Sequence, residues 1–205
     1  MGRGSIMKPR ISPASIAGIC AVFLSGCNGL GRVTQGRAIE FDRNAGRVTI
    51  IADSSGGSSA GPRFDVLPPE VVQVPDNPAE MGPQPEAGKL LQLDAREQTM
   101  VVFDAVAGAL VTVPFQTVSK QTGVFRDDAR VAGRRFPIVD KEKKTVTVYS
   151  SGQRMLLTLT ISDQHFSMPE ETWRLGDEVR YYWKEPGKTL RFMNVTKTDI
   201  QKAGS

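Results

Sequence analysis

The sequence is poor in the residues that carry nucleophilic, redox and metal chemistry. It has two cysteines and one histidine in 205 residues, whereas a structural zinc site of the common cysteine and histidine types takes about four such ligands. It also lacks any run of about 18 apolar residues, which excludes a polytopic membrane protein. We therefore expect no metal, no cofactor and no enzymatic activity.

The excess of basic over acidic residues is small once the amino-terminal segment is set aside. The net charge is +4, from 26 basic and 22 acidic residues. Arg3, Lys8 and Arg10 lie within residues 1–26, which hold no acid, so 23 basic residues face 22 acidic ones in the rest. A domain that binds nucleic acid through its phosphates is strongly basic in its own right. The sequence therefore predicts that nucleic acid is not a partner.

The first 26 residues have the pattern of a secretory signal peptide. A basic segment, Met7–Arg10, precedes the 14 largely apolar residues Ile11–Leu24, and small residues follow. As a helix those residues reach about 21 Å, which is shorter than the hydrocarbon core of about 30 Å. The pattern predicts a leader that is removed, with either Met1 or Met7 as its first residue.

The four residues Leu24-Ser25-Gly26-Cys27 resemble the lipobox, the cleavage motif of bacterial lipoproteins. The resemblance implies a lipid on the sulfur of Cys27 and cleavage between Gly26 and Cys27. It also implies an outer-membrane location facing the periplasm, because Asn28 stands where aspartate usually signals inner-membrane retention. Cys20 would leave with the leader, so the mature chain has no second cysteine with which to form a disulfide. The resemblance thus implies that the protein is attached to the membrane through the lipid on Cys27.

Three similar segments predict β-hairpins. In each, a β-rich stretch ends at an aspartate, a short polar segment follows, and a second β-rich stretch returns. Aspartate favours this position because its side chain accepts hydrogen bonds from nearby backbone amides. The segments are 39–50 with Asp42, 91–102 with Asp94, and 137–148 with Asp140.

The strand patterns predict an all-β protein with at most short helices, one of them a helical turn at Ser167–Glu171. Three strands, a helical turn and a hairpin is the order of a small five-stranded OB-like barrel, and SH3-like barrels are close competitors. The chain then holds two such barrels in tandem, or one larger antiparallel barrel or sandwich. The predicted division is a leader over 1–26, a lipidated tether over 27–35, a first β domain over 36–104 with a proline-rich excursion over 68–87, a connection with an extra strand over 105–132, a second barrel over 133–196, and a tail over 197–205.

Period-two alternation near the carboxyl terminus predicts which aromatic residues are buried. Val179, Tyr181 and Trp183 share one face of a strand and are expected in the core, with Tyr182 on the opposite face. An exposed aromatic ring can stack on a ligand, so Tyr182 and Trp173 form a candidate ligand platform. The alternative interpretation is a barrel core with a single exposed tyrosine.

No residue pattern predicts a catalytic site. His165 lies close to Asp163 and Ser167 in sequence, but nothing resembles the nucleophile elbow of a serine hydrolase. The segment after Asp42 departs from the calcium-loop pattern and is better explained by a turn. Two pairs of adjacent acids, Asp127–Asp128 and Glu170–Glu171, are candidates for the carboxylates of a glycoside hydrolase. Adjacent acids point apart on regular structure, so solvated loop charge explains them better.

Together these features predict a lipid-anchored periplasmic module that acts by binding, as an accessory or scaffold for envelope proteins. In this the chain resembles bacterial lipoproteins of the domain-of-unknown-function type. The alternative is a module that binds an envelope glycan, and a hydrolase is the third function considered. A scaffold needs an exposed patch or an open sheet edge, a glycan module needs an aromatic platform, and an enzyme needs polar groups that converge in a cleft.

Overall fold

The computed structural model describes Met1, residues 30–58 and residues 61–198. Its regular structure is almost entirely strand, which confirms the prediction of an all-β protein with short helices. Among the described residues, no helix has the length and apolar character needed to cross a bilayer. The strands are β1 (Arg32–Asp42), β2 (Arg47–Asp53), β3 (Phe64–Gln73), β4 (Leu90–Asp94), β5 (Thr99–Asp104), β6 (Ala109–Thr122), β7 (Ile138–Asp140), β8 (Thr145–Ser150), β9 (Met155–Ile161), β10 (Glu178–Glu185) and β11 (Lys188–Asn194).

The helical elements are a 3₁₀ turn at Pro78–Glu80, the four-residue helix α1 (Asp163–Phe166) and a second 3₁₀ turn at Glu170–Trp173. The helical turn predicted at Ser167–Glu171 is therefore displaced. Ser167 caps the carboxyl end of α1, and Pro169 precedes the second 3₁₀ turn. Proline suits the start of a helical turn because it has no amide hydrogen to leave unpaired there.

The three aspartate-initiated hairpins are confirmed. They are formed by β1 with β2, β4 with β5, and β7 with β8. In each turn one oxygen of the aspartate accepts two backbone amides, at 3.0 and 3.0 Å for Asp42, 2.8 and 2.9 Å for Asp94, and 3.1 and 2.9 Å for Asp140. These amide hydrogen bonds hold the pKa of Asp94 and of Asp140 below the ordinary value. Asp104 makes a fourth turn of the same kind between β5 and β6, which is not among the three predicted from the sequence.

Each of these turns ends on a residue with positive φ, four positions after the aspartate. Gly46 and Gly108 fill this position at φ 61° and 63°, where the absence of a side chain removes the steric penalty. Gln98 and Lys144 adopt the same conformation at φ 52° and 53°. The aspartate thus specifies the turn even where glycine does not follow it.

Five strands from the two ends of the chain close a barrel. Their order around the barrel is β1, β10, β11, β3 and β2. Residues 32–37 of β1 pair with β10 and residues 36–42 pair with β2, with a bulge at Ile39 inside the second pairing. The barrel closes between β3 and β11, which run parallel and pair at Gln73 and Lys188. Its interior holds Ala38, Val48, Ile50, Val72, Val179, Tyr181 and Phe192.

The remaining six strands form one antiparallel sheet in the order β4, β5, β6, β9, β8 and β7. Strand β6 joins its two halves, because Ala109–Pro114 pair with β5 and Phe115–Thr122 pair with β9. One face of the sheet is covered by the segment from α1 to Leu175. Trp173 lies at the centre of that cover and is 1 % exposed.

The barrel and the sheet do not follow the predicted division into 36–104 and 133–196. Strands β10 and β11 pair with β1 and β3 rather than with β7–β9, and β4 and β5 belong to the sheet rather than to the barrel. The extra strand predicted within the connection over 105–132 is the 14-residue strand β6, which belongs to the sheet, and the proline-rich excursion begins inside β3. Three strands, a connection and a hairpin do occur, but the connection is the whole six-stranded sheet.

The barrel and the sheet meet where three chain segments cross. The amide of Gly88 donates to the carbonyl oxygen of Ala38 at 3.1 Å, and the amide of Ala38 donates to that of Asp177 at 2.9 Å. An apolar cluster of Ile39, Ile51, Phe64, Leu91 and Phe103 packs beside this crossing. The crossing needs glycine at position 176, since a Cβ there would lie 2.2 Å from the carbonyl oxygen of Ala38.

We expect Gly176→Ala to lower the free energy of unfolding by about 1–3 kcal/mol, because the backbone atoms around it cannot move aside. Denaturant unfolding measures this change. Gly152→Ala is the matched control, since a Cβ there meets nothing within 4 Å. An equal loss in both variants would show that the crossing at Gly176 tolerates a side chain.

A candidate ligand-binding cleft

A cleft of about 610 Å³ lies between the barrel and the sheet. This volume is in the range typical of ligand sites. Its walls come from the β1–β2 turn, the loop before β7, strand β8, and the segments before β10 and after β11. Its charged residues are six cations and two acids: Arg43, Arg126, Arg134, Arg135, Arg174, Lys197, Glu86 and Asp177. We call this surface the arginine cleft.

The two acids of the arginine cleft are already bonded within the protein. Asp177 is 6 % exposed, and its Oδ2 accepts from the amide of Glu86 at 2.8 Å and from Nδ2 of Asn194 at 2.7 Å. Lys197 Nζ lies 2.9 Å from Glu86 Oε1 and 3.5 Å from Asp177 Oδ2. These contacts hold the segments before β10 and after β11 together. Both carboxylates of the cleft therefore already have partners within the protein.

Four of the arginines keep their charge available. Within the described part of the chain, no carboxylate lies within 4 Å of the guanidinium groups of Arg43, Arg134, Arg135 and Arg174, and all four side chains are exposed. They come from the barrel, from the sheet and from the segment that links the two. A guanidinium group binds carboxylate or phosphate with two parallel hydrogen bonds. The cleft is therefore suited to an anionic ligand.

A buried frame supports the arginine-bearing loop before β7. Val124 and Val131 are 0 % and 5 % exposed, and the amide of Val124 donates to the carbonyl oxygen of Arg154 at 2.8 Å. Arg126 bridges this loop to Ser151 and to the carbonyl oxygen of Thr196, which ties the sheet to the end of the barrel. The loop is thus held in place rather than projecting freely.

Two aromatic rings line the same wall of the arginine cleft. The rings of Phe136 and Tyr149 lie 5.8 Å apart in a tilted arrangement, and the hydroxyl of Tyr149 donates to the carbonyl oxygen of Val124 at 3.2 Å. Burial raises the pKa of Tyr149 above its ordinary value, which further favours the neutral phenol. The aromatic wall adds apolar contact area without adding charge.

A second cleft, of about 530 Å³, opens beside strand β4. Arg37 lines it, with Nη1 donating to the carbonyl oxygen of Gly176 at 2.5 Å and its guanidinium 4.4 Å from the ring of Phe64. Its Nε is shielded from solvent and has no hydrogen-bond partner in the described residues. Burial lowers the pKa of Arg37 to about 10 and raises that of the neighbouring Glu178. Opposite charges face one another here, so this cleft attracts anions less than the arginine cleft does.

The structure does not bring the two residues of the predicted aromatic platform together. Trp173 belongs to the core of the sheet, and Tyr182 lies half-buried on the outer face of the barrel. Val179 and Tyr181 are buried as predicted, whereas Trp183 is half-buried at the barrel end. The predicted cleavage and lipidation site, Gly26 and Cys27, lies outside the described residues.

The remaining residues considered for catalysis form no catalytic arrangement in the described structure. His165 Nδ1 lies 2.9 Å from Ser162 Oγ, while Asp163 pairs with Lys144 at 2.7 Å and Ser167 donates to a backbone carbonyl. No three histidine, cysteine, aspartate or glutamate side chains of the described residues group in a way that could hold a metal ion.

The arginine cleft is not visible in the net charge of residues 27–205, which averages over all their basic and acidic side chains. The local signal was the adjacent pair Arg134-Arg135, eight residues after Arg126. Arg43 and Arg174 are distant in sequence and reach the cleft only through the pairing of β1 with β10. No local pattern contains that information.

Comparison with known proteins gives one match. The model of a domain of unknown function, DUF4881, matches residues 29–203, a range that includes every described strand. No curated protein and no solved structure matches the chain.

Proposed function

The chain belongs to the DUF4881 family of domains of unknown function, and we propose that it is a lipid-anchored, non-enzymatic binding module of the bacterial envelope. In this proposal the arginine cleft binds an acidic segment of another envelope protein. The observation that carries it is the group of four exposed arginines without carboxylate partners between barrel and sheet.

The lipid anchor is proposed from the lipobox-like residues Leu24–Cys27. Cys27 lies five residues before the first residue of β1, so a lipid on its sulfur keeps the barrel at the membrane surface. A single acyl chain binds membranes only marginally, whereas two or three chains give stable anchoring. With Asn28 after the modified cysteine, we place the protein on the outer membrane, facing the periplasm.

We also propose that the barrel is OB-like. Three consecutive antiparallel strands, a connection and a closing hairpin correspond to β1–β3, the six-stranded sheet and β10–β11. An OB-fold barrel binds its ligands with the face of its strands and the loops beside it. Here the inserted sheet provides one wall of the arginine cleft, so the site depends on both parts.

An acidic protein segment matches the arginine cleft better than a small anion does. The four free arginines come from three chain segments and line one cleft of about 610 Å³, so a ligand that pairs with them all must carry several negative groups. Aspartate and glutamate side chains along a peptide meet this requirement. Binding without reaction is supported by the state of the two acids, since Glu86 and Asp177 are held by Lys197 and Asn194.

An envelope glycan is the second ligand class, and Phe136 and Tyr149 are the observation in its favour. Their rings line the arginine cleft and could contact a sugar face. The predicted platform of Tyr182 and Trp173 does not support it, because Trp173 is 1 % exposed. A glycan that binds here must be acidic to match the arginines.

The proposal is tested by reversing two arginines of the cleft. We expect the chain to bind polyglutamate with an affinity that falls as salt rises, and Arg134→Glu/Arg135→Glu to weaken binding at least about tenfold. The matched control is Arg63→Glu/Arg96→Glu, which makes the same change in net charge at exposed sites outside the arginine cleft. Titration calorimetry of both variants measures the difference.

Each outcome of this titration favours or rejects a ligand class. Binding of polygalacturonate without binding of polyglutamate would favour the acidic glycan over the protein segment. Equal weakening in the two double variants would show that net charge, not the arginine cleft, drives association. Binding of neither polymer would reject the arginine cleft as an anion site.

A further inference from the structure

The described stretch that leads into β1 starts at Leu30, at one end of the barrel. Gly31 packs against the ring of Tyr182, so closely that a Cβ on Gly31 would lie 2.2 Å from the ring atoms. Strand β1 then starts at Arg32, which pairs with Trp183 on β10. The chain therefore enters the barrel beside the β10–β11 hairpin.

The barrel end formed by the start of β1 and the β10–β11 hairpin, which we call the hairpin end, must lie close to residue 27. Leu30 lies three positions after Cys27, and three extended residues span at most about 11 Å. The contact of β1 with the sheet begins near Ile39, seven residues and about 23 Å further along the strand from Arg32. An anchor at Cys27 therefore brings the hairpin end to the membrane and leaves the sheet farther away.

The surface of the hairpin end has apolar and aromatic side chains in positions that face outward. Leu30 is 86 % exposed, Val33 is 64 % exposed and Leu190 is 47 % exposed. Val33 is the direct cross-strand neighbour of Tyr182. Trp183 is only half-buried, and its indole nitrogen donates to Thr34 at 2.9 Å. Tryptophan and tyrosine favour the boundary between hydrocarbon and water because they combine an apolar ring with a polar group.

Cations surround these apolar side chains. Arg32 and Lys184 have no carboxylate within 4 Å among the described residues, while Lys188 pairs with Glu185 and Arg191 with Glu80, each at 3.3 Å. A third acid, Glu70, lies beside Trp183 and accepts from the Tyr181 hydroxyl at 2.7 Å, so four cations stand against three acids. Lysine and arginine near a membrane surface are attracted to anionic headgroups, and their aliphatic stems lie along apolar surface.

We propose that the hairpin end rests on an anionic lipid bilayer, with Trp183 and Tyr182 at the boundary and the arginine cleft facing away from the membrane. This proposal rests on the anchor at Cys27 that belongs to the proposed function. Most of the arginine cleft, including Asp177 and Thr196, lies beyond the start of β10 and the end of β11, at the other end of those strands, while its Arg43 belongs to the β1–β2 turn. A protein partner can then reach the arginine cleft without displacing lipid.

The test uses residues 27–205, which retain every described element and have Cys27 as their only cysteine. Cys27 is coupled to a maleimide phospholipid in vesicles of phosphatidylglycerol and phosphatidylcholine, with or without brominated acyl chains. We expect bromine to quench the emission of Trp183, which lies at the hairpin end, and not that of Trp173 in the sheet core. Trp183→Phe should remove the quenched component.

Substitutions at the surface test which side chains make the contact. Val33→Glu/Leu190→Glu should abolish the quenching, and vesicles of phosphatidylcholine alone should reduce it. The matched control is Val106→Glu/Val118→Glu, which changes two exposed valines on the sheet part and should leave the quenching unchanged. Circular dichroism of each variant confirms that it is folded before the measurement.

Two results would overturn the orientation: an unquenched Trp183 in the anchored protein, or equal loss in the control variant. Because the lipid is attached chemically, these results concern the orientation alone. The native anchor is tested separately, by mass spectrometry of the amino terminus of the protein from membranes. A native terminus without lipid rejects the anchor of the proposed function, whatever the vesicles show.

Discussion

In a bacterial host, Cys27→Ser is expected to remove the protein from the pool of lipid-modified mature chains. The sulfur of Cys27 is the atom to which the lipid is joined in the proposed anchor, and a serine hydroxyl does not replace it. Without that lipid, cleavage before residue 27 should fail, so the variant accumulates as a precursor that retains residues 1–26. Mass spectrometry of the amino terminus, together with detergent-phase partitioning, measures both changes.

The control for this prediction is Cys20→Ser, which removes the other cysteine of the chain. Position 20 lies within the apolar stretch Ile11–Leu24, where a single serine should leave processing and lipid attachment intact. A wild-type protein with an unmodified terminus at any residue other than Cys27 contradicts the anchor. The protein would then be a secreted chain in which Cys27 lies near the cleavage site by chance.

The strands of this protein could be predicted well because the information that specifies them is local. The alternation of Met155, Leu157, Leu159 and Ile161 matches β9, in which all four are 8 % exposed or less. The aspartate turns depend on one side chain and the two amides that follow it, so Asp42, Asp94 and Asp140 are visible in a short window. Asp104 was missed because its turn, Ala-Val-Ala-Gly, is apolar rather than polar.

The arrangement of the strands could not be predicted in the same way. The chain has two hairpin-rich halves, and tandem barrels are the simplest division because consecutive strands are usually neighbours. The barrel instead depends on the pairing of β1 with β10, residues more than 130 positions apart. A side-chain contact across the same pair, Gln35 to Glu178 at 2.7 Å, is equally invisible in a sequence window.

The same distinction explains what was missed at the arginine cleft. A net charge near zero over residues 27–205 is compatible with local charge separation, and in this fold Lys197 and Asn194 satisfy the acids while Arg134 and Arg135 stay free. The two residues of the predicted aromatic platform lie apart for a related reason. Sequence periodicity assigns Tyr182 to a face, but it does not state that Trp173 belongs to the core of a different sheet.

Trp173→Ala is expected to lower the free energy of unfolding by about 3–5 kcal/mol, a large share of the roughly 5–15 kcal/mol that stabilises a typical domain. The indole fills the space between the sheet and the segment that covers it, in a cluster with Leu90, Val102, Leu157 and Leu159. Alanine would leave a cavity that the surrounding strands cannot close, because they are fixed by hydrogen bonds on both sides. Denaturant unfolding followed by circular dichroism measures the loss.

The same variant also tests whether barrel and sheet unfold together, because it leaves Trp183 as the only tryptophan, at the barrel end. The amide of Ala38 and the guanidinium of Arg37 bind the segment at Gly176 and Asp177, which continues directly from the sheet cover, so loosening the cover should loosen the barrel. We therefore expect the Trp183 emission and the circular dichroism signal to change at the same denaturant concentration.

Phe125→Ala is the control: this ring is 51 % exposed and lies 4.6 Å from the guanidinium of Arg154, so its removal should cost about 1 kcal/mol or less. If Trp173→Ala instead lowers the midpoint of the circular dichroism signal and leaves that of Trp183 unchanged, the barrel is stable without the sheet, and the crossing at Gly176 joins two independent folding units.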